Sequence, residues 1–463
     1  MHLKLDTRPF ATVPPAVNPQ GAYQPVSYWQ TTINVTPGEP LRGDTDCDVV
    51  IIGGGYSGLS VARHLKKLDP KLDVVVLEHS VAGHGASGRN GGFSMPLLGW
   101  DLYETAKALG DKEAKRAYDL MYRAVDYFKQ TIAEEQIACD LECTGYLLVN
   151  TCASREKRAR KEINTAHAMG YEHTWLEGAA LEEHIRCRTF RSGVLDPHPC
   201  IVNPAKLARG LKDAAERQGV RIYERTPMTE LTEGSTVTVR TPEGSVRAKQ
   251  ACLCMNGFGA ASGFLKSRVL PVHTYIVMTE PLTNAQLESI GWAKHRASIE
   301  TARNFIHYFR LTADNRIAFG GEDADLYPGG SYRTNDANVE AALRKRFYEY
   351  FPALRDVQFT HGWGGVLGVT LDMFPTFGQG GEHKNIFHAC AYSGHGVSLS
   401  NYSGTVLAPM MLRAAGRNDI DAPEDMPFFW NRLPMPLPPD PFRYWGMKAY
   451  RAALRAHDVV TGA

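Results

Sequence analysis

The chain has 463 residues, with 51 Lys plus Arg against 50 Asp plus Glu. It is long enough for two or more domains, and too evenly charged to draw in nucleic acid or an anionic membrane by its field. Its 9 cysteines are odd in number and form no pair of CxxC units, which argues against a metal site and a disulfide framework and for free thiols in a reducing compartment.

Residues 1–43 are rich in proline and read as an irregular arm lying on the surface. The stretch "MHLKLDTRPFATVPPAVNPQ" has no apolar signal core, and no run of ~18 apolar residues occurs that could span a membrane. A soluble cytoplasmic chain is the expectation. Cys47–Ile52 is a short apolar run ending at glycine, the mark of a buried strand. Residues 57–68 then show a helical face of Leu59, Ala62, Leu65 and Leu68, stopped at Asp69-Pro70, and Val74–Leu77 is a second buried strand. The unit is strand, helix, parallel strand.

Amphipathic helices are expected over 113–135 and 154–170. At "NPAKLARGL", Asn203 suits an N-cap with Pro204 in the first turn; Gly219 closes that helix and Val220–Tyr223 is a strand. Residues 236–259 read as a hairpin followed by a buried strand, Ala251–Met255. From 263 to 361, strand-like segments such as "HTYIVMTE" and "NRIAFGGE" alternate with a helix over 335–351. A glycine-rich segment from 362 ends in the helix "SLSNYSGTVLAPMMLRAA".

Three glycine clusters carry the chemistry. Gly53, Gly55 and Gly58 form G-x-G-x-x-G at the first strand-to-helix turn. The first glycine suits the tight turn, the second the approach of a pyrophosphate, and the third close packing of helix on sheet. The helix N-terminus adds amide donors and partial positive charge. Glu78 ends the second strand, twenty residues after Gly58, where a carboxylate can accept from a ribose hydroxyl. Both NAD and FAD use this arrangement. "VAGHGASGRNGGF" (81–93) then offers a second bare loop, suited to lying along a flat ring. "AYSGHGVSLSNYSG" (391–404) offers a third, at a helix start holding His395, where backbone donors could stabilise negative charge on a reduced ring. The second and third clusters favour a flavin.

Together "VVIIGGGYSGL", "GASGRNGG", "NPAKLARGL…GVRIYE", "LCMNGF", "GWGGVLGVTLDMFPTFG" and "AYSGHGVSLS" resemble the D-amino-acid-oxidase-type family of FAD-dependent oxidoreductases, in its gamma-glutamylputrescine oxidase-like branch. The resemblance runs from about Trp29 to Gly416. It implies an α/β chain (α+β overall) in which a GR2-type Rossmann-like FAD-binding domain carries an inserted mixed or antiparallel-sheet substrate domain. The corresponding division is an arm at 1–43, an FAD-binding domain at 44–95, 196–262 and 362–420, a substrate-binding domain at 96–195 and 263–361, and a C-terminal extension at 421–463. Matched residue by residue, Gly53, Gly55, Gly58 and Glu78 take the pyrophosphate and ribose roles. Ala86, Ser87, Arg89, Asn90, Gly91 and Gly92 lie along the flavin. Met228 holds the adenine end through its backbone, and Gly394, His395 and Gly396 the pyrimidine edge. Tyr56, Ser57, His79, Gly85, Asn256 and Gly257 complete the expected cofactor-binding set.

Some relatives tether FAD covalently, but Cys390 and His84, which flank flavin-like loops, lack the spacing of a tether, so FAD is expected to be non-covalent. The resemblance also implies oxidation of an amine C–N bond: hydride transfer to flavin N5, hydrolysis of the imine, and reduction of O2 to H2O2. Candidates for catalysis are His395, Arg89, Trp363, Tyr275, His307 and Arg303, with His273 and Tyr308 as further pocket residues; Arg303 could hold a substrate carboxylate or phosphonate. Two alternatives stand beside this reading. One is a dehydrogenase of a secondary or N-methyl amine with an acceptor other than O2. The other is a flavin-fold binding or assembly factor without turnover.

Overall fold

Val49, Val50, Ile51 and Ile52 are all buried in the strand Thr45–Ile52, as expected of a strand covered on both faces. The chain turns at Gly53 and enters the helix Tyr56–Leu68, whose last turn carries Lys66 and Lys67, the charge that suits a helix C-terminus. It returns as the parallel strand Val74–Leu77, with Val50 beside Val75. The computed structural model describes residues 17–18, 22–327, 332–423 and 426–462.

Around this unit an eight-stranded sheet runs in the order Thr376–Gly380, Ile386–Cys390, Gly244–Leu253, Thr45–Ile52, Val74–Leu77, Arg221–Tyr223. Its central pairs are parallel, and the hairpin strands Glu230–Thr232 and Val237–Thr241 branch off the first half of the interior strand Gly244–Leu253. The expected hairpin and following buried strand are joined. Gly244–Leu253 is one continuous strand that pairs antiparallel with Val237–Thr241 at its start and parallel with Thr45–Ile52 along its length. The helix Gly396–Ala414 is largely buried and shares a core with Tyr56–Leu68.

A second eight-stranded sheet runs in the order Phe359–Val369, Leu270–Thr279, Ile317–Asp325, His307–Leu311, Ser298–Thr301, Tyr146–Asn150, Ser192–Asp196, Thr174–Glu177. Every pair is antiparallel except Ser298–Thr301 beside Tyr146–Asn150. The strand Phe359–Val369 straddles the expected 361/362 division and pairs with Leu270–Thr279 along nearly its whole length. Successive side chains of a strand face opposite ways. Leu147, Val149, Ile299, Phe309 and Leu311 accordingly share one core with Leu343, Phe347 and Tyr350 of the helix Ala337–Tyr350. Tyr146, Glu300, Tyr308 and Arg310 occupy the opposite face.

The arm differs from expectation. Ser27 caps a short helix, Tyr28–Thr31, in a reciprocal capping box with Gln30, and Trp29 is only 1% exposed. Trp29 meets Trp363 edge to face at 6.2 Å, and the Arg310 guanidinium lies 4.9 Å from its ring. An isolated tryptophan among polar residues carries no periodicity, so pattern alone cannot separate an anchor from a surface aromatic. Of the arm, residues 1–16 and 19–21 lie outside the described residues. At the other end, the helix Phe442–Thr461 is tied down by a buried pair in which Arg155 donates to Asp458 at 2.9 Å. Among the described residues no helix is long and apolar enough to cross a membrane.

Candidate cofactor and active site

The C-terminal ends of the central parallel strands open onto a cleft that is partly open to solvent. This is where open α/β sheets place their ligands. It is lined by Gly53, Gly55, Tyr56, Ser57, Glu78, His79, Gly85, Ala86, Ser87, Asn90, Met228, Asn256, Gly394 and Gly396. Fourteen residues from six separated segments are thus gathered on one surface. Gly53 adopts φ +109°, and a Cβ there would stand 2.7 Å from the Cys254 carbonyl oxygen. Gly58 lies just behind the cleft; a Cβ on it would stand 1.9 Å from the Gly53 carbonyl oxygen, so only glycine lets the helix sit on the turn.

Two helix N-termini face the cleft. Gly55 and His395 are the caps of Tyr56–Leu68 and Gly396–Ala414, and neither helix has a side-chain cap. The Tyr56 amide donates to Ser87 Oγ at 3.0 Å; the other first-turn amides and the helix dipoles favour an anionic or electron-rich ligand. Glu78 is held by the Gly54 and Ser80 amides, which donate to its two oxygens at 2.7 and 2.8 Å. Burial nevertheless raises its pKa to about 7. His395 is not on the lining, but its Nδ1 is buried without a partner, and burial lowers its pKa to about 4, so the imidazole is neutral.

The second glycine loop is stiffened by its own polar residues. Asn90 donates to the Ala86 and Ser87 carbonyls and accepts from the Gly92 amide. Arg89 lies behind the loop, donating Nε to the His84 carbonyl at 2.7 Å and Nη2 to His84 Nε2 at 2.8 Å. The arm braces the same loop: Ser27 donates to the Gly88 carbonyl, Gln30 to the His84 carbonyl, and the Tyr23 hydroxyl pairs with His84 Nδ1. Gly91, Gly92 and Gly257 pack away from the lining; a Cβ on Gly257 would meet Val366 at 2.7 Å. Ser80, Gly83, His84, Phe258, Leu367 and Tyr392 line the cleft without having been expected there as ligand contacts. All but Ser80 fall inside or beside the glycine-rich motifs, which was the available signal. Tyr392 hydrogen-bonds Ser57 across the cleft.

The expected catalytic side chains are dispersed. Trp363 is buried under Trp29 and donates its indole N–H to the Arg89 carbonyl at 2.8 Å. Tyr275 is fully buried in the helix-side core and bonded to Tyr327. His307 lies on that same side between Tyr350 at 2.9 Å and Glu322 at 3.1 Å. Arg303 neighbours Tyr350 and His307 there. Alternation turns Tyr275 and His307 away from the cleft and leaves Trp363, Tyr308 and Glu300 on its side; a one-residue step along a strand changes face. His273 is buried and accepts from the Arg333 amide.

Cleft, caps and buried acid define a dinucleotide-binding α/β protein, and the bare second and third loops fit a flavin. The family of FAD dependent oxidoreductases (DAO) matches residues 48–410, and the chain belongs to that family. Its cofactor is FAD. Non-covalent binding agrees with the residues: both ring nitrogens of His84 are engaged, and burial pushes the Cys390 thiol well up. Gamma-glutamylputrescine oxidoreductase of Escherichia coli is 30% identical over 397 residues, 85% of this chain and 90% of that protein. The probable oxidoreductase OrdL of Rhizobium meliloti is 31% identical over 401 residues, again 85% and 90%. Glycine oxidase from Geobacillus kaustophilus has the same fold, with a TM-score of 0.69 at 19% identity over 80% of this chain and 95% of that one.

Proposed function

We propose that the protein oxidises the C–N bond of a small primary or secondary amine of the gamma-glutamylputrescine type. Amine, water and O2 give a carbonyl compound, the released amine or ammonia, and H2O2. The single observation that carries this is the glycine-lined cleft with two uncapped helix N-termini, in a chain 30% identical to gamma-glutamylputrescine oxidoreductase. FAD, when bound, supplies a two-electron acceptor. The chain's own residues do the rest. Gly53, Gly55 and the first helix N-terminus would take the pyrophosphate, and Glu78 the ribose. The braced Ala86–Gly92 loop would fix the ring, and the neutral His395 with the second helix N-terminus would meet its pyrimidine edge. On this reading the first sheet and its helices form the FAD-binding part, and the second sheet the substrate-binding part.

The test is an anaerobic absorbance spectrum before and after adding amines: gamma-glutamylputrescine, putrescine, sarcosine, aminophosphonates and D-amino acids. Bleaching by one amine, with colour and H2O2 returning in air, is the expected result. Bleaching without recovery in air would replace O2 by another acceptor. No bleaching with any amine would overturn the reading.

A further inference from the structure

Glu300 stands in the middle of the strand Ser298–Thr301, next to Ile299 of the helix-side core. Alternation points it the other way. The register sets it opposite Tyr308, a half-buried residue whose ring meets Phe93 edge to face at 5.8 Å. The same ring lies 3.3 Å from where a Cβ on Gly91 would stand. Gly91 and Phe93 continue the loop whose Ala86, Ser87 and Asn90 line the cleft. Glu300 is 8% exposed, and its polar neighbour is the Tyr146 hydroxyl from the adjoining strand.

A carboxylate so buried costs free energy unless a cation meets it. Among the described residues, burial and Tyr146 are the influences on it, and no cation is one of them. Burial raises its pKa to about 7, opposed by Tyr146. Arg310, on the same face of the adjoining strand, and Arg89, beside the second glycine loop, have other duties. Arg310 donates to the Val202 and Leu311 carbonyls, and Arg89 is bound to His84. This face therefore carries a buried carboxylate, a hydroxyl and two aromatic rings, with both arginines engaged elsewhere.

We infer that Glu300, with Tyr146, receives the ammonium group of the amine substrate, while Tyr308 and Phe93 pack against its carbon chain. Aromatic faces beside a carboxylate are suited to an alkylammonium ion. The inference rests on the amine-oxidising reading above and narrows it to amines with no carboxylate on the carbon that bears the reacting nitrogen. In order of preference, alkyl amines and diamine derivatives come before α-amino acids.

tert-Butylamine tests this apart from turnover, because its nitrogen-bearing carbon has no hydrogen to lose. Its dissociation constant is measured by calorimetry and by perturbation of the flavin spectrum, in the FAD-loaded wild type, Glu300→Gln and Tyr146→Phe, with propionate as the anionic control. The expected result is binding to wild type, weakened about tenfold or more in Glu300→Gln and about threefold in Tyr146→Phe, with propionate bound more weakly than the amine. FAD content per chain reports folding; if Glu300→Gln loses FAD, Tyr146→Phe alone decides. Unchanged binding in the variants, no binding to wild type, or tighter binding of propionate overturns the inference. A wild type bleached by amines but showing any of these results leaves the amine reading standing. A wild type bleached by no amine strikes that reading itself.

Discussion

The cleft at the first sheet and the inner face of the second are made from different atoms. The cleft is a surface of backbone: glycines at turns, amides at two helix ends, and one acid fixed by two amides. The inner face is a surface of side chains, Tyr146, Glu300 and Tyr308, each placed by strand parity, with Phe93 from the end of the second glycine loop set against Tyr308. Backbone surfaces tolerate little substitution because the missing Cβ is itself the function. Side-chain surfaces can change their ligand by changing one residue while the strands stay put.

The largest expected effect comes from Gly58→Val. The new side chain would meet the Gly53 carbonyl, and backbone cannot yield as a side-chain tip can. The cost should exceed the ~1–3 kcal/mol of ordinary overpacking. The purified variant is expected to be colourless, and flavin absorbance per chain measures this. A fully yellow Gly58→Val would break the claim that the cleft is built by close backbone approach.

This contrast also explains what the sequence could reveal. Gly53, Gly55, Gly58 and Glu78 were legible because the strand, the turn and the acid are local, and each residue type is demanded by geometry. Trp29 was not, because its burial depends on Trp363 and Arg310, more than two hundred residues away. Tyr275 and His307 were plausible pocket residues by chemistry, but the pattern around them does not say which face of the strand meets the ligand. Every residue from Leu270 to Thr279 except Thr274 is buried, so the run carries no apolar–polar alternation to read. Glu300 carried no motif at all. Its place emerges only from the register with Tyr308.

A middle-sized effect is expected from Glu78→Gln. On the proposed role of Glu78 as acceptor for the ribose hydroxyls, removing its charge should cost about 1.5–3 kcal/mol, or roughly ten- to a hundredfold in FAD affinity. The pH dependence has a definite sign. Burial raises the Glu78 pKa to about 7, so the folded chain binds this proton more tightly than the unfolded chain. Its contribution to apoprotein stability is present at low pH and is lost as pH rises through about 7. Ribose donors favour the ionised carboxylate, so FAD affinity should strengthen from about pH 6 to about pH 8. Glu78→Gln should flatten both slopes, measured by thermal melting of the apoprotein and by flavin fluorescence titration. Slopes unchanged in the variant would assign them to another group.

The smallest effect offers the sharpest test of strand parity, through adjacent residues of one strand. His307 faces the helix side, where it joins Tyr350 to Glu322. His307→Ala leaves both partners short of a hydrogen bond and should lower stability by about 1–3 kcal/mol. The amine affinity of the surviving folded enzyme should be unchanged. Tyr308 faces the second glycine loop and meets Phe93. Tyr308→Ala should weaken alkylammonium binding two- to fivefold, the scale of ~0.5–1 kcal/mol for a cation beside an aromatic face. Melting temperature and tert-butylamine affinity, read on both variants, separate the two faces. If His307→Ala shifts affinity and Tyr308→Ala shifts only melting, the faces are reversed, and the ligand would meet the His307–Glu322 side instead.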